Sequence, residues 1–277
     1  MLMKILALDT ALHQCSGAIL ECSPERNFAR EDANILACES LYISPKRQAG
    51  VANKKNIDAI DEKARGHGEA IAPMAAGLLA KANLEVRDID RVVVTIGPGG
   101  FTGVRVGLAF VRGLVLGQNL DVVGVSSLAA MAASFPDDPN TFNKSASNWI
   151  APLIDARREE IFGALYERDK NGTLAEYIAP FVDAPDNIMA RLRAPEIVSK
   201  VQLEGVKLQA IGSGAVLVDD IEGAALVQNN DSTIDPVALA VLGAQMIPNH
   251  EMPAPLYLRA PDAKPSAKTM FAQLGLV

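Results

Sequence analysis

LALDTALHQCSGAIL (6–20) and PLIDARREEIFGALY (152–166) are two versions of one pattern. In each, an apolar run ends on an aspartate, Asp9 or Asp155, and a polar turn leads into a second run holding a Gly-Ala pair, Gly17-Ala18 or Gly163-Ala164. Seven residues separate aspartate from glycine in both. Two apolar runs joined by a short polar break read as a β-hairpin. A second echo follows at Ile96-Gly97-Pro98-Gly99 and Ile211-Gly212-Ser213-Gly214, each ending a strand. The chain reads as one unit written twice.

Outward from the first hairpin, residues 35–43 give a third strand and 44–56 a basic, polar loop. Residues 69–83 have helical spacing, with Ile71, Met74, Leu78 and Leu79 on one face, Pro73 in the opening turn and Asn83 to close it. Residues 91–96 are a β-branched central strand, 102–118 a helix, 121–125 a strand and 126–133 a helix. The polar stretch 136–148 precedes the second hairpin, 149–155 and 160–167. DKNG (169–172) turns into a strand over 173–178, a further strand is expected at 206–211 and a proline-opened helix at 236–247, before an irregular proline-punctuated tail. Strand–helix alternation implies parallel pairing and an α/β class. Two aspartate-tipped copies suit the duplicated RNase H-like (actin/Hsp70-type) architecture of two lobes, each a mixed sheet flanked by helices. The lobes are expected at 1–126 and 127–277, with helix 236–247 packing back on the first.

In actin/Hsp70-type ATPases the two hairpins hold nucleotide phosphates across a cleft. A phosphate hairpin needs small residues so that backbone N–H groups approach the oxygens. Here the turns are Thr-Ala-Leu-His-Gln and Ala-Arg-Arg-Glu-Glu, without glycine and, in the second, with two acids. Asp9 and Asp155 either hold a magnesium ion or fix their own turns, and with Gly212 and Gly214 they are the weak cofactor-site candidates. GPGGFTG (97–103) lies between strand and helix, yet it meets Thr102 where the dinucleotide fingerprint needs its third glycine, and it lacks the Walker A lysine. Downstream, Gly103, Gly107, Gly113 and Gly117 share a helix face with Val106, Phe110 and Leu114. Two readings stay open: close packing on the chain's own sheet, or a helix–helix interface with the helix from Glu69 as companion.

With 277 residues, 49% hydrophobic and 21% charged, the composition is that of a globular protein. The net charge of −7 lacks the basic field of a chain that grips nucleic acid alone, so any such work goes through a partner. Cys15, Cys22 and Cys38 fit no zinc spacing and read as reduced thiols. The N-terminal apolar run is too short for a signal peptide and residues 122–136 too short for a membrane helix, so a cytoplasmic protein is expected.

KILALDT (4–10), RGHGEAIAPMAAGLL (65–79), VVVTIGPGGFTGVRVGLAFVRGLVLG (92–117), VGVSSLAAMA (123–132), LIDARREEIFGALY (153–166) and PLYLR (255–259) resemble, in that order, the bacterial TsaB (YeaZ) family. Gly100 departs from the serine usual in that family, and the insertion before His67 is longer. The resemblance implies a non-catalytic role in forming N6-threonylcarbamoyladenosine (t6A) beside the tRNA anticodon. It implies pairing with the metal-binding catalytic paralogue TsaD through N-lobe helices, an ATPase partner TsaE, a homodimer when alone, and contact with tRNA only through the complex. The interface residues it implies are His67, Glu69, Ile71, Pro73, Met74, Gly103, Val106, Gly107, Phe110 and Leu114. No intrinsic cofactor is expected, and any ATP or ADP would lie between subunits. TsaD carries a helical His-x-x-x-His metal pair, whereas here Ile71 stands four places after His67, and His13 and His250 have no HEXXH setting. An ATPase or small-molecule kinase using Asp9 and Asp155 is the alternative, and an M22-like metallopeptidase the weaker one.

Overall fold

The computed structural model describes residues 2–23, 32–43, 66–118, 120–136, 147–170, 172–204, 208–218, 226–229, 232–249 and 251–259. The basic loop 44–56, the rest of the insertion up to residue 65, His250 and the tail beyond Arg259 lie outside them.

Strands β1 (Met3–Asp9), β2 (Gln14–Cys22), β3 (Asn34–Tyr42), β4 (Arg91–Thr95) and β5 (Asp121–Val125) form a sheet of order β3-β2-β1-β4-β5. β1 pairs antiparallel with β2, Asp9 opposite Ser16, and parallel with β4, Leu8 opposite Val94. Strands β6 (Asn148–Arg157), β7 (Glu160–Arg168), β8 (Leu174–Asp183), β9 (Leu208–Ile211) and β10 (Leu226–Asn229) repeat that order as β8-β7-β6-β9-β10. β6 is antiparallel to β7 and parallel to β9. The repeat in the sequence is thus a repeat of topology, the duplicated RNase H-like fold.

Three apolar layers hold the sheets. Alternation along β1 sends Leu6 and Leu8 to one face and Ile5 and Ala7 to the other. The first set packs under α1 (His67–Ala82) through Ile71, Met74 and Leu78, and under α2 (Phe101–Leu114) through Val104, Leu108 and Val111. Trp149, Leu153, Ile161 and Leu165 pack under α4 (Pro185–Leu192) and α5 (Pro195–Glu204). Between the sheets lie α3 (Ser127–Ser134) and α6 (Pro236–Gln245), in one core with Ile5, Val93, Ile150 and Tyr166. Both faces of the central strands are covered, which is why they read as continuous apolar runs.

α3 follows the first sheet but packs on β6, β7 and β8, whereas α6 follows the second sheet and packs on β1, β2 and β4. Two buried arginines pin these helices. Arg91 Nη1 donates to the carbonyls of Gly243 (3.1 Å), Ala244 (2.9 Å) and Met246 (3.0 Å) at the end of α6. Arg168 donates to Phe135 O (2.9 Å) and to Ala132 O at the end of α3. Each places a cation where helix carbonyls lack partners and the macrodipole is negative. Gly243 lets α6 sit on the sheet, since a Cβ there would come within 2.4 Å of Val93.

The sequence reading omitted α4, α5 and β10 and ended β8 five residues early. It ran α2 on to residue 118, but the helix stops at Leu114, before Gly117 turns with φ +76°. The segment 251–259 forms no regular element, yet Leu256 N donates to Ile96 O (2.8 Å) and Pro253 covers Gly124.

Candidate functional site

The starts of α1 and α2 converge on the β1–β2 turn. Thr10 Oγ1 donates to Gly103 O (2.8 Å), Gly100 N donates to Ala11 O (2.8 Å), and His67 Nε2–H donates to Leu12 O (3.0 Å). Burial holds the His67 imidazole below its ordinary pKa, which suits this neutral tautomer. A Cβ on Gly99 would lie 2.3 Å from Ala11 O, one on Gly103 2.0 Å from Thr10 O, and one on Gly107 2.5 Å from Thr10 Oγ1. These glycines exist so that two stretches of backbone can touch. The first turn of α2, where a helix would otherwise receive an anion, instead faces the Thr10 and Ala11 carbonyls.

This corrects the reading of Gly103 and Gly107 as partner-facing: both are buried against the chain's own hairpin. Ile71 and Met74 are likewise buried, facing the first sheet. Helical spacing put these residues on a face but could not say what that face touched.

Asp9 is 1% exposed. Its Oδ1 accepts from Ala11 N (2.9 Å) and Thr95 Oγ1 (2.7 Å), while the sealed Oδ2 has no hydrogen-bond partner among the described residues. Burial outweighs these hydrogen bonds and pushes its pKa up to about 6. A carboxylate so enclosed fixes its turn. Asp155 does similar work in the second hairpin, accepting from Arg157 N (2.8 Å) and Arg157 Nη1 (3.1 Å). That tip holds Arg157, Arg158 and Glu159 at φ of 62°, 59° and 61°, three successive non-glycine residues in the left-handed region. Gly212 matches Gly97 in backbone, φ +98° against +95°. A Cβ on Gly212 would lie 2.4 Å from Leu153 O, and one on Gly214 2.9 Å from the Ile161 side chain and 3.1 Å from the Leu153 carbonyl carbon, so both glycines serve close passage beside β6 and β7. Among the described residues no group of three or more His, Cys, Asp or Glu side chains is placed to hold a metal ion.

The outward surface of α1 and α2 is the unusual feature. The exposed positions of α1 are Gly68, Glu69, Ala72, Pro73, Ala76, Ala80 and Lys81, a face charged only at its two ends. Beside it α2 exposes Phe101, Thr102, Arg105, Ala109, Arg112 and Gly113 and leaves Val106, Phe110 and Leu114 half-buried. His67 is half-buried at the same end. Solvated helices normally carry charge on this side, and a broad apolar patch marks a surface that something covers. Sequence reasoning found this pair of helices and missed the cluster of Phe101 and Arg105 with Tyr257, whose members are far apart in the chain. No described helix is long and apolar enough to cross a membrane.

A family model described as TsaD, tRNA N6-adenosine threonylcarbamoyltransferase, matches residues 61–230. The chain is 31% identical over 170 residues to the tRNA threonylcarbamoyladenosine biosynthesis protein TsaB of Escherichia coli K12, covering 61% of this chain and 58% of that protein. An uncharacterized protein of Mycobacterium tuberculosis H37Rv is 31% identical over 240 residues, covering 85% and 96%. The chain spans under three fifths of the Escherichia coli relative's length. Among solved structures, YeaZ from Pseudomonas aeruginosa superposes with a TM-score of 0.62 at 20% identity, covering 92% of this chain and all of that one.

Proposed function

The chain belongs to the TsaB (YeaZ) family, and from that premise we propose that it is the non-catalytic subunit required for t6A formation beside the anticodon of tRNAs. It binds and supports the catalytic subunit TsaD, together with TsaE, in the cytoplasm. The observation that carries this reading is the exposed α1–α2 face, largely apolar, with Glu69 and Lys81 the exposed charges of α1 and Arg105 and Arg112 those of α2. Such a face gains from being covered, by TsaD in the complex or by a second copy when the chain is alone. The buried Asp9, the Asp155–Arg157 pair and the filled start of α2 argue against phosphate chemistry on this chain's own hairpins. An ATP or ADP serving the complex would sit between subunits, and the net charge of −7 favours tRNA contact through the partner.

The test is pairing. Phe110 is half-buried on this face, packed on the edge of the first core, and Phe110→Asp places a charge there. The chain and TsaD from the same organism should co-elute as a complex in size-exclusion chromatography. The variant should elute alone with an unchanged circular dichroism spectrum. Undiminished co-elution of Phe110→Asp would refute the assignment of this face.

A further inference from the structure

At the start of α2 the molecule exposes two aromatic rings around one guanidinium. Phe101 is 60% exposed and Tyr257 55% exposed. The Arg105 guanidinium carbon stands 3.5 Å from the centre of the Phe101 ring and 5.6 Å from that of Tyr257. Arg105 Nε donates to Tyr257 Oη at 2.8 Å, and the rings lie 6.1 Å apart. Tyr257 arrives from the far end of the chain and is held there from both sides. Leu256 N is bonded to Ile96 O, and Arg259 pairs with Glu160 and donates to Arg157 O on the second hairpin.

The arrangement fixes an arginine without using its far edge. The Phe101 contact sets the plane of the guanidinium, the Tyr257 hydroxyl takes Nε, and Nη1 and Nη2 have no hydrogen-bond or ion-pair partner among the described residues. Those two nitrogens are the parallel donors that a carboxylate accepts as a fork. Because the side chain is already oriented, less conformational entropy is lost when the acceptor arrives. Exposed Tyr and Arg next to an apolar patch is also the composition of interface residues that dominate binding.

We propose that Phe101, Arg105 and Tyr257 form an anchor that takes one carboxylate of the protein partner seated on the α1–α2 face. This rests on the reading of that face as the partner surface. A protein carboxylate fits better than a nucleic-acid phosphate because Arg112, two turns on, is the one other basic residue of α2, the near neighbours Val106, Ala109 and Phe110 are apolar, and the chain is acidic overall.

The experiment is calorimetric titration of the intact chain into TsaD, using wild type, Arg105→Ala, Arg105→Lys and Tyr257→Phe. Arg105→Ala should weaken binding at least about tenfold. Arg105→Lys should recover little of it, since an ammonium has no fork. Tyr257→Phe should cost a few-fold through lost orientation. Unfolding temperatures should stay at the wild-type value because Arg105 is exposed. Among exposed Asp and Glu of TsaD changed to Asn and Gln, one should show no further loss when combined with Arg105→Ala. If Arg105→Ala binds within twofold of wild type while Phe110→Asp does not bind, the anchor is wrong and the partner face stands. A loss that appears only when tRNA is present overturns the protein-carboxylate assignment. If the wild-type chain does not bind TsaD at all, the anchor and the underlying reading both fall.

Discussion

Replacing Gly103 by alanine tests whether the glycines of α2 serve the chain's own hairpin. The new methyl would lie 2.0 Å from the Thr10 carbonyl oxygen, and ordinary contact begins near 3.4 Å, so the start of α2 must retreat by about 1.4 Å. That movement pulls apart the Thr10 Oγ1–Gly103 O and Gly100 N–Ala11 O hydrogen bonds, both 2.8 Å. Each is worth about 1 kcal/mol, and the residual overpacking costs about 2 kcal/mol. Alanine returns about 1 kcal/mol of helix propensity, leaving a net loss of about 3 kcal/mol. Gly113 on the same helix is the control. It is exposed and a Cβ there meets nothing within 4 Å, so Gly113→Ala should stabilise by up to about 1 kcal/mol. Thermal unfolding followed by circular dichroism should place Gly103→Ala on the order of 5–10 °C below wild type and Gly113→Ala at or slightly above it. A Gly103→Ala chain as stable as wild type would refute the packing argument.

Asp9 should make stability fall with pH. Its folded pKa of about 6 lies above the ordinary 3.8, so the folded state keeps a proton that the unfolded state has lost between those values. The contribution of Asp9 to stability is therefore highest below about pH 4 and declines by about 3 kcal/mol as pH rises through 6. Asp9→Asn removes that slope, so unfolding temperatures at pH 4.5 and 7.5 should show the variant gaining on wild type at the higher pH, and a constant difference would contradict the burial argument. Arg91→Met leaves three carbonyls at the end of α6 without their donor and should cost about 3 kcal/mol or more. Hydrogen exchange over residues 236–245 should rise sharply, and unchanged protection there would show that Arg91 does not hold the helix.

Much of the fold was legible because it is written in local periodicity. Both hairpins, β4, β5, α1 and α6 follow from apolar runs and proline positions that fix backbone locally. α4 and α5 were legible too: Ile188, Met189 and Leu192, and Ile197, Val198 and Val201, stand at helical spacing behind Pro185 and Pro195 in the opening turns, but each pattern spans little more than one turn among charged residues. β10 has four residues and pairs with β9 alone, too little for a pattern. The site was legible only in part, for a different reason. A glycine stripe says that something comes close, and Thr10, ninety-three residues from Gly103, is what comes close. Arg91 and Arg168 look in the sequence like ordinary charged strand residues. Their work is set by helix ends that arrive from elsewhere in the chain, 152 residues away for Arg91 and Gly243 and 33 for Arg168 and Phe135. Tyr257 reads as part of an irregular tail until the fold lays it beside Arg105.

The central claim is that this chain contributes binding and not chemistry. Reconstitution of tRNA modification with threonine, bicarbonate, ATP, the adenylate-forming enzyme, TsaD and TsaE, with and without this chain, tests it most directly. The account predicts t6A only when both this chain and TsaD are present, and loss of product with Phe110→Asp. Product formed by this chain in the absence of TsaD, or undiminished product when this chain is left out, would contradict it.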